Sequence, residues 1–218
     1  MRTTHHFPQN FQLFGAWYAP YIKNMNTQSA IAQYFTQLNF RQPETANPLH
    51  AQIIPTPLGE MLAICSATGL CLLEFVGQTR LEREIHQIAQ AKQAQILFQS
   101  HDLLQETAEQ IQAYFSGSLK PFSVPIDFVG TDFQQRVWRV LQTIPYGETI
   151  SYAEQAAKLG NPKAVRAVAA ANGQNKISII VPCHRVIGSN GKLTGYAGGL
   201  PRKQFLLDLE SRSGSLKI

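Results

Sequence analysis

Two capping boxes constrain the fold of this chain more than any other pattern, because they fix where helices begin in its second half. A capping box pairs an N-cap Ser or Thr with a Glu or Gln three residues later. Thr131–Gln134 predicts one helix start and Ser151–Glu154 predicts another. Pro145-Tyr146-Gly147 should end the first helix, and Gly160 should end the second. The first helix is expected to bury one apolar face, formed by Phe133, Val137, Val140, Leu141 and Ile144.

A third helix is predicted directly after the second. In the junction Gly160-Asn161-Pro162, Asn161 is expected as the N-cap and Pro162 at the first helical position. The helix should run to about Asn172 and end at Gly173. Two short helices joined in this way form a helix-turn-helix candidate, and a generic helical hairpin is the alternative.

The composition of the third helix favours a nucleic-acid partner. Lys163 and Arg166 lie three residues apart and therefore on one face. Small residues, among them Ala164 and Ala167, would let the helix approach a groove closely. The net charge is +5, and residues 127–218 hold 12 Lys or Arg against 6 Asp or Glu. Such a basic excess permits a polyanionic partner, although an ordinary solvated surface is the alternative.

The first half of the chain predicts strands followed by helices. Gly59–Ser66 and Gly69–Val76 are apolar, strand-like runs joined by a short hairpin connection. Leu81–Ala94 and Asp102–Phe115 have helical periodicity, and Gly117 should stop the second of these helices. The predicted fold class is therefore α/β. A small N-terminal α/β domain with a β-hairpin or sheet and helices precedes a mostly α-helical C-terminal domain with a helix-turn-helix.

Three segments are predicted along the chain. Residues 1–49 hold 11 Asn or Gln and nine aromatic residues but only four charged ones, and they form an N-terminal extension without an assigned role. A helix over Ser29–Phe40 is expected within it. The α/β domain covers residues 50–126, and its last part is a linker rich in proline. The helix-turn-helix domain covers residues 127–218.

Cysteine usage limits the chemistry of the chain. Its three cysteines are an odd, sparse set, which argues against a disulfide framework and for a reducing compartment. Cys65 and Cys71 lie in apolar runs and are expected in the core. Because no C-x-x-C pair exists, we expect no structural zinc site of the usual kind, and no pattern predicts a metal or other cofactor.

Hydropathy along the sequence predicts the cellular location of the protein. No apolar run reaches the length of a membrane span, and the N-terminus has no hydrophobic signal core. We therefore expect no membrane association and a cytoplasmic protein, or a nuclear one if the source is eukaryotic.

The third cysteine lies in a setting that favours nucleophilic chemistry. The apolar run Ile177–Val181 predicts a short buried strand, and Pro182-Cys183-His184-Arg185 follows it directly. A cysteine is nucleophilic as its thiolate, and a neighbouring imidazole can accept the thiol proton. A buried structural cysteine is the alternative. The pattern therefore makes Cys183 the candidate nucleophile.

Several motifs in one order, from Phe133 to Glu210, resemble the O6-alkylguanine-DNA alkyltransferases. The residues from His50 to about Phe115 resemble the N-terminal α/β domain of that family more loosely, and residues 1–49 are not covered. The matching pieces are Phe133–Trp138 (FQQRVW), Ile144–Tyr152 (IPYGETISY), Gly160–Val168 (GNPKAVRAV), Asn175, Ile180–Ile187 (IVPCHRVI), Gly195–Gly199 (GYAGG) and Leu206–Glu210 (LLDLE).

The resemblance implies a catalytic role for five residues. Cys183 would accept the alkyl group. Glu210 would orient His184, which would draw the thiol proton through water. Asn175 would hold the turn that presents the nucleophile, and Tyr152 would contact the target base or the backbone beside it. The alternatives are a helix-end role for Asn175, a solvated helix-end carboxylate for Glu210 and a core position for Tyr152.

The resemblance also implies the contacts to DNA. Arg166 would enter the gap left by a rotated nucleotide, and a simple phosphate contact is the alternative. The backbone at Val186 and Ala197 would read the guanine edge, and Tyr196 would form part of the pocket wall. Some family members have serine where this chain has Ala197. The difference lies in the side chain, so the backbone N–H at this position is unaffected.

The function implied is direct repair of double-stranded DNA that contains O6-alkylguanine, and also O4-alkylthymine. A monomer would bind in the minor groove, flip the base and transfer the alkyl group once to Cys183, as a methylated-DNA–protein-cysteine S-methyltransferase. One alternative is a lesion-binding or regulatory helix-turn-helix protein without transfer. A cysteine hydrolase that uses Cys183 and His184 is the other.

Overall fold

The N-terminal part of the chain forms a four-stranded sheet. The computed structural model describes residues 47–214. The strands are β1 (Leu49–Ile54), β2 (Met61–Cys65), β3 (Leu70–Phe75) and β4 (Ile96–Leu97), in the spatial order β3-β2-β1-β4. β2 pairs antiparallel with both neighbours, and the short β4 runs parallel to β1. The predicted hairpin is confirmed, whereas β1 and β4 were not predicted.

Both faces of this sheet are covered, which explains why every residue of β2 and β3 is buried. Leu62 and Ile64 belong to a core cluster with the buried face of α1 (Leu81–Lys92). Ala63 and Leu73 belong to a second cluster, which includes residues of α2 (Asp102–Phe115) and of the C-terminal domain. Since side chains alternate along a strand, one face of the sheet packs on α1 and the other on the rest of the protein.

The C-terminal part is mostly helical, and the predicted fold class is confirmed. Two 3-10 turns and a two-stranded parallel pair interrupt the helices. In chain order the elements are α3 (Asp132–Gln142), β5 (Ile150–Ser151), α4 (Tyr152–Lys158), the 3-10 turn Pro162–Ala164, α5 (Val165–Asn172), the 3-10 turn Cys183–Arg185, β6 (Val186–Ile187) and α6 (Leu200–Gly214).

Both predicted capping boxes form. The Thr131 hydroxyl accepts from the backbone N–H of Gln134, whose side chain accepts in return from the N–H of Thr131. Ser151 and Glu154 make the same reciprocal pair at the start of α4. The buried residues of α3 are Val137, Trp138 and Leu141, so the predicted apolar face lacked Trp138. Of the other predicted residues, Phe133 and Val140 are half-buried and Ile144 is buried just after the helix.

The start of the third helix differs from its prediction. Asn161 makes no side-chain cap, because a 3-10 turn intervenes and the α-helix itself begins at Val165. The backbone carbonyl of Asn161 instead accepts from the N–H of Ala164 at 2.9 Å. Gly160 has φ +81°, a left-handed conformation that favours glycine and lets the chain reverse between the two helices. Gly173 does end α5 as predicted, but in a right-handed conformation.

Other predictions on the first half have mixed outcomes. The helix over Asp102–Phe115 is confirmed, whereas α1 ends two residues before the predicted Ala94, because Gln93 takes a left-handed conformation. Cys65 and Cys71 are fully buried as expected, and burial raises their thiol pKa values to about 11 and about 12. The helix predicted over residues 29–40 lies outside the described residues, and the division into 1–49, 50–126 and 127–218 stays a prediction.

Within residues 47–214, none of the helices has the length and apolar character needed to cross a membrane.

Candidate active site around Cys183

The segment before Cys183 is buried but is not the predicted strand. It forms consecutive turns, and only Ile177 bridges to β3, through Leu73. The reason is Asn175, whose side chain takes the place of a strand partner. Its Oδ1 accepts from the N–H of Ile177 at 3.0 Å, and its Nδ2 donates to the carbonyl of Val181 at 2.9 Å. Ile179 has φ +72°, which is rare for a β-branched residue and marks how tightly the segment is bent.

This bend places Asn175 against the thiol. Nδ2 of Asn175 lies 3.3 Å from Sγ of Cys183, which begins a 3-10 turn and is 8% exposed. Burial raises the pKa of the Cys183 thiol, and the hydrogen bond from Asn175 opposes that rise. The resting thiol is therefore protonated at neutral pH and needs a base to become nucleophilic.

His184 supplies a ring nitrogen suited to that role. Its Nε2 lies 2.9 Å from Oε1 of Glu210, and both side chains are fully buried. Because a carboxylate can only accept, Nε2 donates the proton and Nδ1 has the free lone pair. Nδ1 is buried and makes no hydrogen bond within the described part of the chain. Burial lowers the pKa of His184, so the imidazole is neutral and Nδ1 is available as a base.

Glu210 lies at the centre of a larger network, so it is not a solvated helix-end carboxylate. Burial opposes its ionisation, but hydrogen bonds from His184 and Arg185 outweigh burial and hold the pKa of the carboxyl well below its usual range. Gly147, at φ +79°, donates its backbone N–H to Oε2. The hydrogen-bond donors and their distances are Arg185 Nε (2.8 Å), Arg185 Nη2 (2.9 Å), Tyr114 Oη (2.7 Å), Gly147 N (3.1 Å) and His184 Nε2 (2.9 Å).

Sequence reasoning missed two of these donor side chains. Arg185 lies within the Cys-His motif but had no assigned role, and it also donates to the carbonyl of Ile144 at 2.7 Å. Tyr114 comes from α2, 96 residues away from Glu210. Only its place on the buried face of a predicted helix could have drawn attention to it.

We expect Tyr114→Phe to lower the free energy of unfolding by about 1–2 kcal/mol, because Glu210 loses a buried donor. Urea denaturation would measure the change. Tyr146→Phe is a matched control, since its ring lies 6.0 Å from that of Tyr114 and its buried hydroxyl has no partner within residues 47–214. The control should be unchanged or slightly more stable. Equal losses in both variants would contradict a specific contribution from the Tyr114 hydrogen bond.

A cleft of about 600 Å³ lies between α5 and the loop before α6. The Tyr152 hydroxyl borders it, 3.4 Å from the carbonyl oxygens of Thr194 and Gly195, and burial raises its pKa. The Tyr196 ring meets the His184 ring edge to face, with centroids 6.4 Å apart. The cleft is lined by Tyr152, Val165, Arg166, Ala169, Gly173, Thr194, Gly195, Tyr196 and Ala197.

The predicted third helix, which the structure divides into a 3-10 turn and α5, has one packed face and one exposed face. Gln155 of α4 and Asn172 of α5 form a buried amide pair, with hydrogen bonds of 2.6 and 3.1 Å. The indole N–H of Trp138 donates to the carbonyl of Ala171 at 2.8 Å. On the other face Lys163, Arg166 and Ala167 are exposed, and Ala164 is half-buried. Arg166 borders the cleft, whereas Lys163 does not.

A buried lysine, also missed from sequence, stabilises the cleft wall. Nζ of Lys203 on α6 donates to the carbonyls of Val186 at 2.6 Å and Thr194 at 2.7 Å. Burial lowers its pKa to about 8. Val186 is fully buried next to the Cys183 turn, and its N–H donates to the carbonyl of Cys183.

Comparisons with known proteins agree with this architecture. Residues 49–128 match the family described as 6-O-methylguanine DNA methyltransferase, ribonuclease-like domain. Residues 132–212 match 6-O-methylguanine DNA methyltransferase, DNA binding domain. A methylated-DNA–protein-cysteine methyltransferase of Methanosarcina barkeri is 46% identical over 166 residues, which is 76% of this chain and 99% of that protein. The one from Mycolicibacterium paratuberculosis is 64% identical over 104 residues, 48% of this chain and 63% of its own.

Solved structures give the same result. The O6-methylguanine methyltransferase of Mycobacterium tuberculosis is 44% identical, with a TM-score of 0.66 over 78% of this chain and 96% of that one. A structure of the M. tuberculosis protein in complex with DNA is 45% identical, with a TM-score of 0.65 over 75% and 94%. These findings confirm the resemblance seen in the motifs. The chain belongs to the 6-O-methylguanine DNA methyltransferase family.

Proposed function

We propose that this protein repairs alkylated DNA by transferring the alkyl group from O6 of guanine to its own Cys183. The observation that supports this most strongly is the buried array in which Asn175 contacts the thiol and Glu210 holds His184. This array lies beside a cleft that the exposed Arg166 borders. The names of the relatives, methylated-DNA–protein-cysteine methyltransferases, support the same activity.

The thiol proton moves first. Nδ1 of His184 accepts it through a water molecule, and Glu210 stabilises the imidazolium that forms. Asn175 donates a hydrogen bond to the thiolate and keeps it oriented. The sulfur then attacks the alkyl carbon, a C–S bond forms and the C–O6 bond breaks. The electron pair goes to guanine, and the Tyr152 hydroxyl hydrogen-bonds or protonates the base so that it leaves more easily.

The target base must leave the duplex before this chemistry. An alkyl group on O6 lies within the base stack, and flipping costs a few kcal/mol. We assign α5 and the 3-10 turn before it to the minor groove, with Lys163 on phosphate and the small Ala164 and Ala167 permitting close approach. Arg166 fills the vacated position in the stack. The base then enters the cleft, where the backbone of Ala197 reads its edge and Tyr196 forms a wall. Val186 is buried behind the cleft, and its carbonyl, which already accepts from Lys203, keeps a second lone pair for the base.

O4-alkylthymine is a second substrate in this proposal, since it presents an alkyl group on an equivalent exocyclic oxygen. The protein acts as a monomer in the cytoplasm, or in the nucleus if the source is eukaryotic. Incubation with a fluorescent O6-benzylguanine tests the function directly. Covalent labelling supports alkyl transfer, whereas binding to alkylated DNA without labelling would favour a lesion-binding protein.

We expect each protein molecule to react once. The product is a thioether, which is stable, and none of the described side chains offers a route to break it. Product formed from DNA containing O6-methylguanine should therefore reach a plateau at about one methyl group per protein. A time course with substrate in excess measures this, and intact mass gives the adduct. Continued turnover beyond one equivalent would contradict the single-turnover proposal and indicate an ordinary enzyme.

A further inference from the structure

Arg80 joins the N-terminal domain to the segment that presents Cys183. It immediately precedes α1, and its guanidinium donates to the backbone carbonyl of Gly173 and, at 2.8 Å, to that of Asn175. The first carbonyl follows the end of α5, and the second belongs to the residue whose side chain contacts the thiol. Arg80 therefore holds, from another domain, the backbone on which the nucleophile depends.

One buried carboxylate, that of Glu74, holds the guanidinium in turn. Nη2 of Arg80 donates to Oε2 of Glu74 at 2.5 Å. Nε lies 3.2 Å from Oε1 of Glu84 without a hydrogen bond between them, and burial raises the pKa of the Glu84 carboxyl to about 7. Glu74 is fully buried, and it also accepts from the hydroxyl of Ser178 at 3.1 Å. A buried carboxylate is stable in its ionised form only with such a partner. The charge of Glu74 is therefore neutralised by Arg80 rather than by solvent.

The backbone reinforces this docking. The N–H of Leu73 donates to the carbonyl of Lys176 at 2.9 Å, and the N–H of Ser178 donates to the carbonyl of Leu73 at 2.7 Å. β3 is therefore hydrogen-bonded to residues next to the Asn175 carbonyl that accepts from Arg80. The cysteine-presenting segment is therefore anchored to the sheet by backbone bonds and by one ion-paired side chain.

The same charges face the thiol. Burial is the main cause that raises the pKa of Cys183; Glu74 raises it further, and Arg80 and Lys203 lower it. A change in Arg80 would leave the Glu74 charge uncompensated near the thiolate. The titratable and charged groups around Cys183 are Glu74 from β3, Arg80 before α1, Tyr152 from α4, His184 beside it, Tyr196 from the cleft loop and Lys203 from α6.

We propose that Arg80 is a positioning residue for the reaction of Cys183, a role that deepens and rests on the function proposed above. Its hydrogen bonds hold the Asn175 segment, and its charge offsets Glu74 beside the thiol. The N-terminal domain thereby takes part in reactivity, although every site residue assigned from the sequence lies in the C-terminal domain.

The test compares the pH dependence of benzyl transfer from free O6-benzylguanine, which needs no base flipping. Arg80→Met should move the rising limb of the profile to higher pH by about one unit, because the thiolate loses a nearby positive charge. The rate at neutral pH should fall about tenfold. Arg83→Met is the matched control, since Arg83 is an exposed arginine of α1 and its loss changes net charge equally. The control should leave the profile in place.

Further variants separate charge from hydrogen bonding. Arg80→Lys keeps the charge but loses the paired hydrogen bonds, so the rate should fall while the limb stays in place. Glu74→Gln should move the limb to lower pH. Because this variant keeps Arg80 and its bonds to the Gly173 and Asn175 carbonyls, it tests the role of charge even if Arg80→Met folds poorly. The double variant Arg80→Met/Glu74→Gln should return the limb to its wild-type position.

The proposal would be overturned if the rising limb of the pH profile stayed in place in folded Arg80→Met or in Glu74→Gln. A purely structural role would change only the rate of transfer and would not move the limb. Carboxamidomethylation of Cys183 by iodoacetamide, followed by mass spectrometry, provides a second readout. If wild-type protein is not benzylated at all, the proposed function is wrong. The iodoacetamide profiles of the same variants then still decide whether Arg80 controls the thiol.

Discussion

Cys183→Ser is expected to abolish alkyl transfer and to leave DNA binding unchanged. A serine hydroxyl is far less acidic than a thiol, and the neutral imidazole of His184 is too weak a base to ionise it. We expect the rate to fall by at least about 10⁴-fold. The fold should persist, because oxygen replaces sulfur at a position where Asn175 already donates a hydrogen bond. Arg166 and the exposed face of α5 remain intact for DNA.

Intact mass after exposure to methylated DNA measures the transfer, and fluorescence anisotropy with the same duplex measures binding. Cys71→Ser is a matched control. Its sulfur already lies 3.7 Å from the carbonyl of Gly69 and 3.9 Å from Asp127, so a hydroxyl finds acceptors there. The control should keep full transfer. A methyl group on Cys65 or Cys71 in the wild-type protein would refute Cys183 as the acceptor.

Local signals predicted the elements that depend on local physics. The capping boxes at Thr131 and Ser151 form because their hydrogen bonds join residues three positions apart. Gly160 reverses the chain because the turn requires a positive φ. The helix-turn-helix was therefore recognisable, even though a 3-10 turn replaced the expected cap at Asn161.

Burial was predictable where secondary structure was not. Ile177–Val181 has the composition of a buried strand, and it is buried, but a short apolar run does not reveal its backbone conformation. The side chain of Asn175 decides that conformation by bonding to Ile177 and Val181. The residue was named from the resemblance, whereas its effect on the backbone became visible only in the structure.

Long-range partners lay beyond the reach of sequence patterns. Glu210 was placed beside His184 from the resemblance, but its bonds to Tyr114 and Arg185 depend on how α2 and the Cys183–Arg185 turn pack against α6. Arg80 lies 95 residues from Asn175. Nothing in the amino-acid sequence around Arg80 distinguishes it from the exposed Arg83. Such contacts arise from tertiary packing, so only a three-dimensional structure reveals them.

Arg166→Ala should separate base flipping from chemistry. Without a side chain to fill the vacated stack, flipping loses a compensating contact, and transfer from duplex DNA should slow by about 10²-fold. Free O6-benzylguanine requires no flipping, and its transfer should stay within about twofold of wild type. Arg166 is exposed and borders the cleft rather than the Asn175–Cys183–His184–Glu210 array, so the array should be undisturbed.

Lys163→Ala is the matched control for charge, because Lys163 is exposed in the turn that leads into α5 but does not line the cleft. Lys163→Ala should weaken binding to all DNA sequences by a similar factor. The slope of log affinity against log salt concentration should become shallower by about 0.9. Transfer from bound duplex should then stay close to wild type. If Arg166→Ala instead slows transfer equally from duplex and from free base, Arg166 supports the fold or the pocket. The stack-filling role would then be excluded, because a residue that acts only during flipping cannot affect a substrate that is never stacked.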